Sequence, residues 1–136
     1  MKRICLLHTG GTVTMFKNEA GVLQPPTSGE YLLEYVPSIT KIADIDNVFL
    51  FQLDSSDINP RHWKAIAEAI AERYDRYDGF VITHGTDTMA YTATALSFML
   101  GNLSKPVIVT GSQLPISEIA SDGPTNLINA VRMACE

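Results

Sequence analysis

Four short, almost uninterrupted apolar runs, Ile4 to Leu7, Val48 to Leu53, Phe80 to Ile82 and Val107 to Val109, constrain this chain more than any other feature. They are rich in Val, Ile, Leu and Phe and read as buried strands. A half-solvated strand alternates apolar with polar residues. Near-continuous apolarity instead implies parallel strands covered on both faces.

Segments with helical spacing supply the cover. After Asn59 and Pro60, a cap and a first helical position, Trp63, Ile66, Ile70 and Tyr74 recur at intervals of three and four and form one apolar stripe. Met89, Ala93, Leu96 and Leu100 form a second stripe. Leu127, Val131 and Ala134, after Asp122 and Pro124, form a third. Ser28 to Val36 reads as a shorter helix ended by Pro37. Strand alternating with helix defines the α/β class, here a three-layer α/β/α arrangement with a mostly parallel, Rossmann-like sheet. The length of 136 residues suits one packed domain, and 46% hydrophobic content is ordinary for a globular chain. Thr14 to Thr27 contains Asn18, Gly21, Pro25 and Pro26 and reads as a loop or small hairpin. A lid over a site and a plain solvated connection both fit it.

Charge and cysteine usage narrow the function classes. The net charge of -5 is scattered, without a block of like charges, which argues against nucleic-acid or anionic-membrane surfaces and for a small polar ligand. No stretch approaches the ~18 apolar residues of a membrane span, and the run Ile4 to Leu7 is too short for a signal-peptide core. A cytoplasmic location is expected. Cys5 and Cys135 lack metal-ligand spacing and read as buried free thiols.

Each strand runs directly into a small polar cluster: Thr9-Gly10-Gly11-Thr12, Asp54-Ser55-Ser56-Asp57, His84-Gly85-Thr86-Asp87-Thr88 and Gly111-Ser112-Gln113. The carboxyl ends of parallel strands share one edge, where such folds bind ligands, so the four clusters are expected to converge. Together they offer hydroxyls, carboxylates and glycine backbone. His8, His62 and His84 have no HExxH-like spacing, so no metal or other cofactor is expected. Neither a Walker motif nor GxGxxG is present, nor is the GxSxG of a serine hydrolase.

Structural readings compete at several positions. Gly10 and Gly11 permit a tight turn, and the missing side chains also let a ligand or oxyanion approach the backbone. Asp87 is placed either to cap the helix beginning near Thr88 or to bind a ligand, and Asp57 is open to the same two readings before Asn59. Ser55 and Ser56 suit a turn equally well. A threonine hydroxyl becomes a nucleophile if a base takes its proton and backbone donors hold the oxyanion. The clusters hold a candidate for every role except the base.

In combination and in this order, Thr9-Gly10-Gly11-Thr12, Asp54-Ser55-Ser56-Asp57, His84-Gly85-Thr86-Asp87-Thr88-Met89 and Ser121-Asp122-Gly123-Pro124-Thr125-Asn126-Leu127 resemble the L-asparaginase family over essentially the whole chain. The resemblance implies that Thr12 is the nucleophile attacking the side-chain amide of asparagine. It implies that Thr86 and Asp87 are the second threonine and its acidic neighbour, which holds the substrate's ammonium. It places Ser55, flanked by Asp54 and Ser56, at the α-carboxylate, and Gly11, Gly85 and Ser112 near the amide. It also implies L-asparagine as substrate, with L-glutamine as a second candidate, and assembly as a homodimer or homotetramer. The Asp54-Ser55-Ser56 wording is more similar to the cytoplasmic, type I branch.

Two departures stand out. The family completes its second threonine with a lysine from a later strand, and none of Lys2, Lys17, Lys41, Lys64 and Lys105 fits. Lys105 precedes its strand and so lies at the opposite sheet edge, and Lys64 is within a helix. Many relatives carry a tyrosine in the loop after Thr12, where this chain has Phe16, Val22 and Leu23. Residues 1–136 are therefore expected to be an amino-terminal domain lacking a following strand and a carboxy-terminal domain, inactive alone. Two other functions share the motifs: a glutamine-hydrolysing amidotransferase subunit serving a tRNA-modifying partner, and a non-catalytic module that binds a small amino acid.

Overall fold

The computed structural model describes residues 1–26 and 30–136. In chain order the elements are β1 (Arg3–Gly10), β2 (Phe16–Lys17), β3 (Leu23–Gln24), α1 (Glu30–Tyr35), β4 (Asp44–Leu53), α2 (Pro60–Arg73), β5 (Gly79–Thr83), α3 (Met89–Met99), β6 (Val107–Thr110) and α4 (Gly123–Ala134). The four apolar runs are the strands of one sheet in the order β4-β1-β5-β6, parallel at every pairing. Leu7 is registered against Val48 on one side and Ile82 on the other, and Ile82 against Val109.

Alternation along β1 separates two cores. Ile4 and Leu6 pack with Val81 against α1 and α4, through Leu32, Val36, Leu127 and Val131. Cys5 and Leu7 pack with Phe80 and Ile82 against α2 and α3, through Ile66, Ile70 and Leu96. The two clusters cover the two faces of the sheet and make the expected three-layer α/β/α fold, each fully buried aliphatic side chain contributing roughly 1.5–3 kcal/mol. Cys5 and Cys135 are both free thiols; Cys5 is buried as expected, whereas Cys135, at the C-cap of α4, is only half-buried because the helix ends there. Burial pushes the Cys5 thiol up to about 11.

Local chemistry sets the ends of the elements. Asn59 caps α2 by accepting from Arg61 N (3.0 Å), and His62 Nδ1 accepts from Asn59 N (3.0 Å), closing a capping box ahead of Pro60. The helix stops at Arg73, so Tyr74 belongs to the following turn, where its hydroxyl accepts from Ser104 N at 2.8 Å. Strands β1 and β4 run past their apolar runs, to Gly10 and back to Asp44, because ladder pairing continues where the side chains turn polar.

The predicted loop is a β2–β3 hairpin, with Asn18 Oδ1 accepting from Ala20 N and Val22 N at its turn. Its last residue, Thr27, and the expected helix start at Ser28 and Gly29 lie outside the described residues. Pro37 ends the α1 segment as expected and opens a short 3-10 turn, Pro37–Lys41. No helix among the described residues is long and apolar enough to cross a membrane.

The two-sided core makes Ile70, fully buried, a sensitive position. Ile70→Ala is expected to cost about 2–5 kcal/mol in urea unfolding, whereas Ile119→Ala, at a fully exposed site, is expected to stay within about 0.5 kcal/mol.

Candidate functional site

The strand order makes the location of the site predictable. From β1 the chain crosses to β4 on one side, then returns to place β5 on the other, so the order reverses around β1. Loops leaving the carboxyl ends of strands at such a reversal diverge and leave a crevice. The crevice is a cleft of about 320 Å³. Gly11 and Thr12 enter it after β1, Leu53, Asp54 and Ser55 after β4, and Gly85, Thr86 and Asp87 after β5; Gln52 joins from within β4, and Met15 and Pro25 from the two ends of the hairpin.

The three loops meet closely, through glycine backbone and the small side chain of Ser55. Gly11 has φ +84°, and a Cβ there would overlap the backbone of Gly85; Gly10, at φ +113°, abuts the backbone of Leu53 in the same way. A Cβ on Gly85 would lie 2.7 Å from both Cβ and Oγ of Ser55. The turn reading of the Gly-Gly pair holds, since both glycines have positive φ, and the missing Cβ at each also lets the backbone of Leu53 and Gly85 come close. Hydroxyls stitch the loops together. Thr88 Oγ1 donates to Ser55 O (2.7 Å) and Thr9 Oγ1 to Thr83 O (2.7 Å). Gln52 Nε2 donates to Thr14 Oγ1 (3.3 Å), which donates to Gly11 O (3.0 Å).

Behind Gly85 lies a polarised chain of hydrogen bonds. Trp63 Nε1 donates to Thr92 Oγ1 (3.0 Å), the Thr92 hydroxyl meets His84 Nε2 (2.8 Å), and His84 Nδ1 meets Gly85 O (2.7 Å). A carbonyl only accepts, so Nδ1 carries the proton, Nε2 accepts from Thr92, and the imidazole is neutral. Burial lowers the His84 pKa below its ordinary 6.5. His8 is held likewise, between Thr83 Oγ1 (3.1 Å) and Asn47 Oδ1 (2.9 Å), and burial again lowers its pKa. Both histidines are framework groups and neither lines the cleft.

Of the residues singled out in the sequence, Gly11, Thr12, Asp54, Ser55, Gly85, Thr86 and Asp87 share the cleft, and Ser56 and Ser112 do not line it. Ser56 is exposed and serves Asp54, whose Oδ1 accepts from Ser56 N (2.9 Å) and Oγ (2.7 Å). These bonds hold the Asp54 carboxyl below its ordinary value, the backbone donor foremost. Ser112 is buried and donates to Leu114 O at 2.6 Å.

The fourth cluster thus reaches the expected edge but stands behind the cleft, with Gly111 packed against His84 O. It is held by the later motif: Asp122 accepts from Gln113 N and Leu114 N, and Asn126 Nδ2 donates to Gly111 O. Asp87 does not cap α3, whose N-cap is Thr88, and it stands exposed at the cleft. Asp57 neither lines the cleft nor caps α2, whose cap is Asn59.

Gln52, Met15 and Pro25 line the cleft without a counterpart among the residues singled out in the sequence. A signal for Gln52 exists: it is the single polar residue in the run Val48 to Leu53. Met15 and Pro25 reach the cleft by hairpin closure, which no local pattern encodes. The lining, among the described residues, includes no lysine, tyrosine or histidine. Lys105 bonds Tyr74 O beside the opposite end of β6, and Lys64 pairs with Glu68 on α2.

A doubly wound sheet whose switch point carries hydroxyls, two carboxylates and bare glycine backbone defines a class: α/β proteins with a polar crevice at the carboxyl edge of the sheet. Comparison with known proteins narrows it. Residues 3–136 match the family model described as "Asparaginase, N-terminal", and the chain belongs to that family. It is 51% identical to L-asparaginase 1 of Escherichia coli K12, covering 98% of this chain and 40% of that protein. It is 42% identical to a glutamyl-tRNA(Gln) amidotransferase subunit of Pyrococcus abyssi, covering 98% of this chain and 31% of that one. The solved structure of L-asparaginase I from Vibrio cholerae superposes with a TM-score of 0.87 at 47% identity, covering 98% of this chain and 40% of that one. The chain therefore spans about two fifths or less of the length of these relatives.

Two measurements test the geometry. Gly11 and Gly21 both have positive φ, but nothing stands near a Cβ on Gly21. Gly21→Ala is expected to show backbone strain alone, about 1 kcal/mol, and Gly11→Ala a further ~1–3 kcal/mol from overpacking, compared by urea unfolding. The unfolded chain protonates its histidines first as pH falls through 6.5, while His8 and His84 resist. Stability is therefore full above that value and declines on acidification below it. Urea midpoints between pH 7.5 and 5.5 should show the decline, and His84→Gln should flatten it.

Proposed function

We propose that the full-length protein hydrolyses L-asparagine to L-aspartate and ammonia through a threonine-bound acyl-enzyme. The observation carrying this reading is the meeting of Thr12, Ser55, Thr86 and Asp87 in one cleft. Asparagine is a zwitterion with a neutral side-chain amide. A matching site needs an acceptor for the ammonium, donors for the carboxylate, a nucleophile and an oxyanion cradle.

Asp87 is the ammonium partner in this reading, and Ser55 donates to the α-carboxylate. The Thr12 hydroxyl attacks the amide carbonyl, and the new C–O bond pushes the carbonyl π pair onto oxygen, where backbone near Gly11 and Gly85 stabilises it. Collapse expels the protonated amine as ammonia and leaves an ester on Thr12. Water, activated beside Thr86, cleaves that ester to aspartate and restores the hydroxyl. Asp54 and Ser56 brace the Ser55 turn, and Ser112 bonds Leu114 O within the loop after β6. The base that draws the proton from Thr12, and the lysine that polarises Thr86, come from sequence outside these 136 residues. Assembly as a homo-oligomer and a cytoplasmic setting rest on the family likeness.

Ammonia release from asparagine by the full-length protein tests the assignment. Thr12→Ala is expected to lower kcat by about a thousandfold or more while leaving the fold intact. Retained turnover in that variant sinks the nucleophile assignment, and turnover by the 136-residue chain alone sinks the need for an outside lysine. The likeness to an amidotransferase subunit supports a second reading. Ammonia release from glutamine, only with a tRNA-modifying partner present, would select it.

A further inference from the structure

A peptide group beside a glycine is held by whatever bonds it, because the glycine itself imposes little. Gly85 lacks a Cβ for a packing reason, the approach of Ser55, and the same absence leaves the plane of the Gly85–Thr86 peptide free to turn over. Its two orientations differ at the cleft. In one the Thr86 N–H faces the ligand space and in the other the Gly85 carbonyl does, because the two groups of a trans peptide point in opposite directions. A donor there stabilises developing negative charge, and an acceptor repels it.

The structure has the first orientation. His84 Nδ1 meets Gly85 O at 2.7 Å from the buried side, whereas Gly85 and Thr86 line the cleft and His84 does not. The carbonyl is drawn inward, and the Thr86 N–H is turned outward. Among the described residues no backbone acceptor meets Thr86 N. A half-buried amide without a partner is available to a ligand oxygen.

Holding the carbonyl requires holding the imidazole. A neutral ring loses its grip on Gly85 O if the proton moves to Nε2 or the ring swings about χ2. Thr92 Oγ1, 2.8 Å from Nε2, closes both exits while its hydroxyl donates to the ring. That hydroxyl has a second option, to accept from Nε2–H. Trp63 Nε1, 3.0 Å from Thr92 Oγ1, weighs against it: an indole N–H only donates, so it takes an acceptor site on the oxygen and biases the hydroxyl hydrogen toward His84. The line of bonds therefore starts at a group that only donates and ends at one that only accepts. Every bond in it runs in one direction, and bonds so aligned reinforce one another. Thr92 and His84 are both fully buried, which keeps bulk water from taking the place of a lost partner.

We propose that Thr92 and Trp63 are positioning residues which, acting through His84, hold the Gly85–Thr86 peptide with its N–H turned to the oxyanion of the amide-hydrolysing reaction. The inference rests on the asparaginase reading given above and deepens it. It assigns the donor on the Gly85 side to one atom, Thr86 N, and traces its orientation to a line of side chains behind the cleft, from α2 through α3 to the end of β5. None of Trp63, Thr92 and His84 lines the cleft, so each acts on the reaction only through that peptide.

Steady-state ammonia release from asparagine by the full-length protein tests it. Thr92→Val keeps the side chain's shape and removes its hydroxyl. Its kcat is expected to fall about ten- to a hundredfold, short of the roughly 10²–10³ lost when an oxyanion donor is removed outright, with KM within about twofold of the parent. Thr92→Ser restores the hydroxyl and is expected to recover kcat to within about threefold. Trp63→Phe removes only the indole donor from a half-buried position; a fall in kcat of about three- to tenfold at unchanged KM is expected, and it carries the test if Thr92→Val does not fold. Thr83→Val removes an equally buried hydroxyl that meets His8 instead of His84, and is expected to lose stability in urea while keeping kcat.

A Thr92→Val protein that loses stability but keeps kcat overturns the proposal and leaves the asparaginase reading standing. So does a rise in KM at unchanged kcat, a Thr92→Ser protein as slow as Thr92→Val, or an equal loss of kcat in Thr83→Val, which marks a general loosening of the fold. A parent protein without asparagine turnover overturns the asparaginase reading and this inference with it.

Discussion

Backbone contact between the loops after β1, β4 and β5 is the constraint on which the rest of the cleft depends. Gly11 touches Gly85, and Gly85 touches Ser55, at separations that exclude even one extra carbon. This contact is possible only because β4, β1 and β5 are neighbours in one parallel sheet, whose carboxyl ends bring the loops to a common edge. The sheet in turn depends on apolar layers on both faces. The sequence of causes therefore runs from hydrophobic pattern to strand order to loop convergence. Thr12, Ser55, Thr86 and Asp87 are carried to the cleft by loops that pack directly on one another.

Much of this is legible in the linear chain. Strand positions follow from apolar runs, the helices from three apolar stripes, and the location of the cleft from polar clusters that each follow a strand. Which clusters face the cavity and which stand behind it is not written there. Ser112 and Thr86 occupy similar positions in the sequence, each directly after a glycine at the end of a strand. Their fates differ because β6 lies one strand farther from the reversal at β1. The hydroxyl of Ser112 is consumed locally by Leu114, whereas Thr86 opens into the cleft. The contributions of Met15 and Pro25 are illegible for a related reason: they arise from hairpin closure between residues whose positions are set by tertiary contact.

Several polar residues that look catalytic in a linear motif are scaffolding in three dimensions. His84 lies beside Gly85 and Thr86 in sequence, yet its ring turns inward and spends both nitrogens on Thr92 and the Gly85 carbonyl. Asp122 and Asn126 likewise tie down the loop after β6 rather than approach the cleft. The motifs thus join residues that line the cleft to residues that hold the loops around it.

The chain from Trp63 through Thr92 and His84 to Gly85 joins α2, α3 and β5 at a single line of hydrogen bonds. Trp63 is the only tryptophan in the sequence. Its indole therefore stands at one remove from the imidazole that orients the Gly85 peptide, and any event that tilts that peptide or protonates that ring alters the indole's surroundings. The protein carries its own fluorophore, wired to the floor of its cleft.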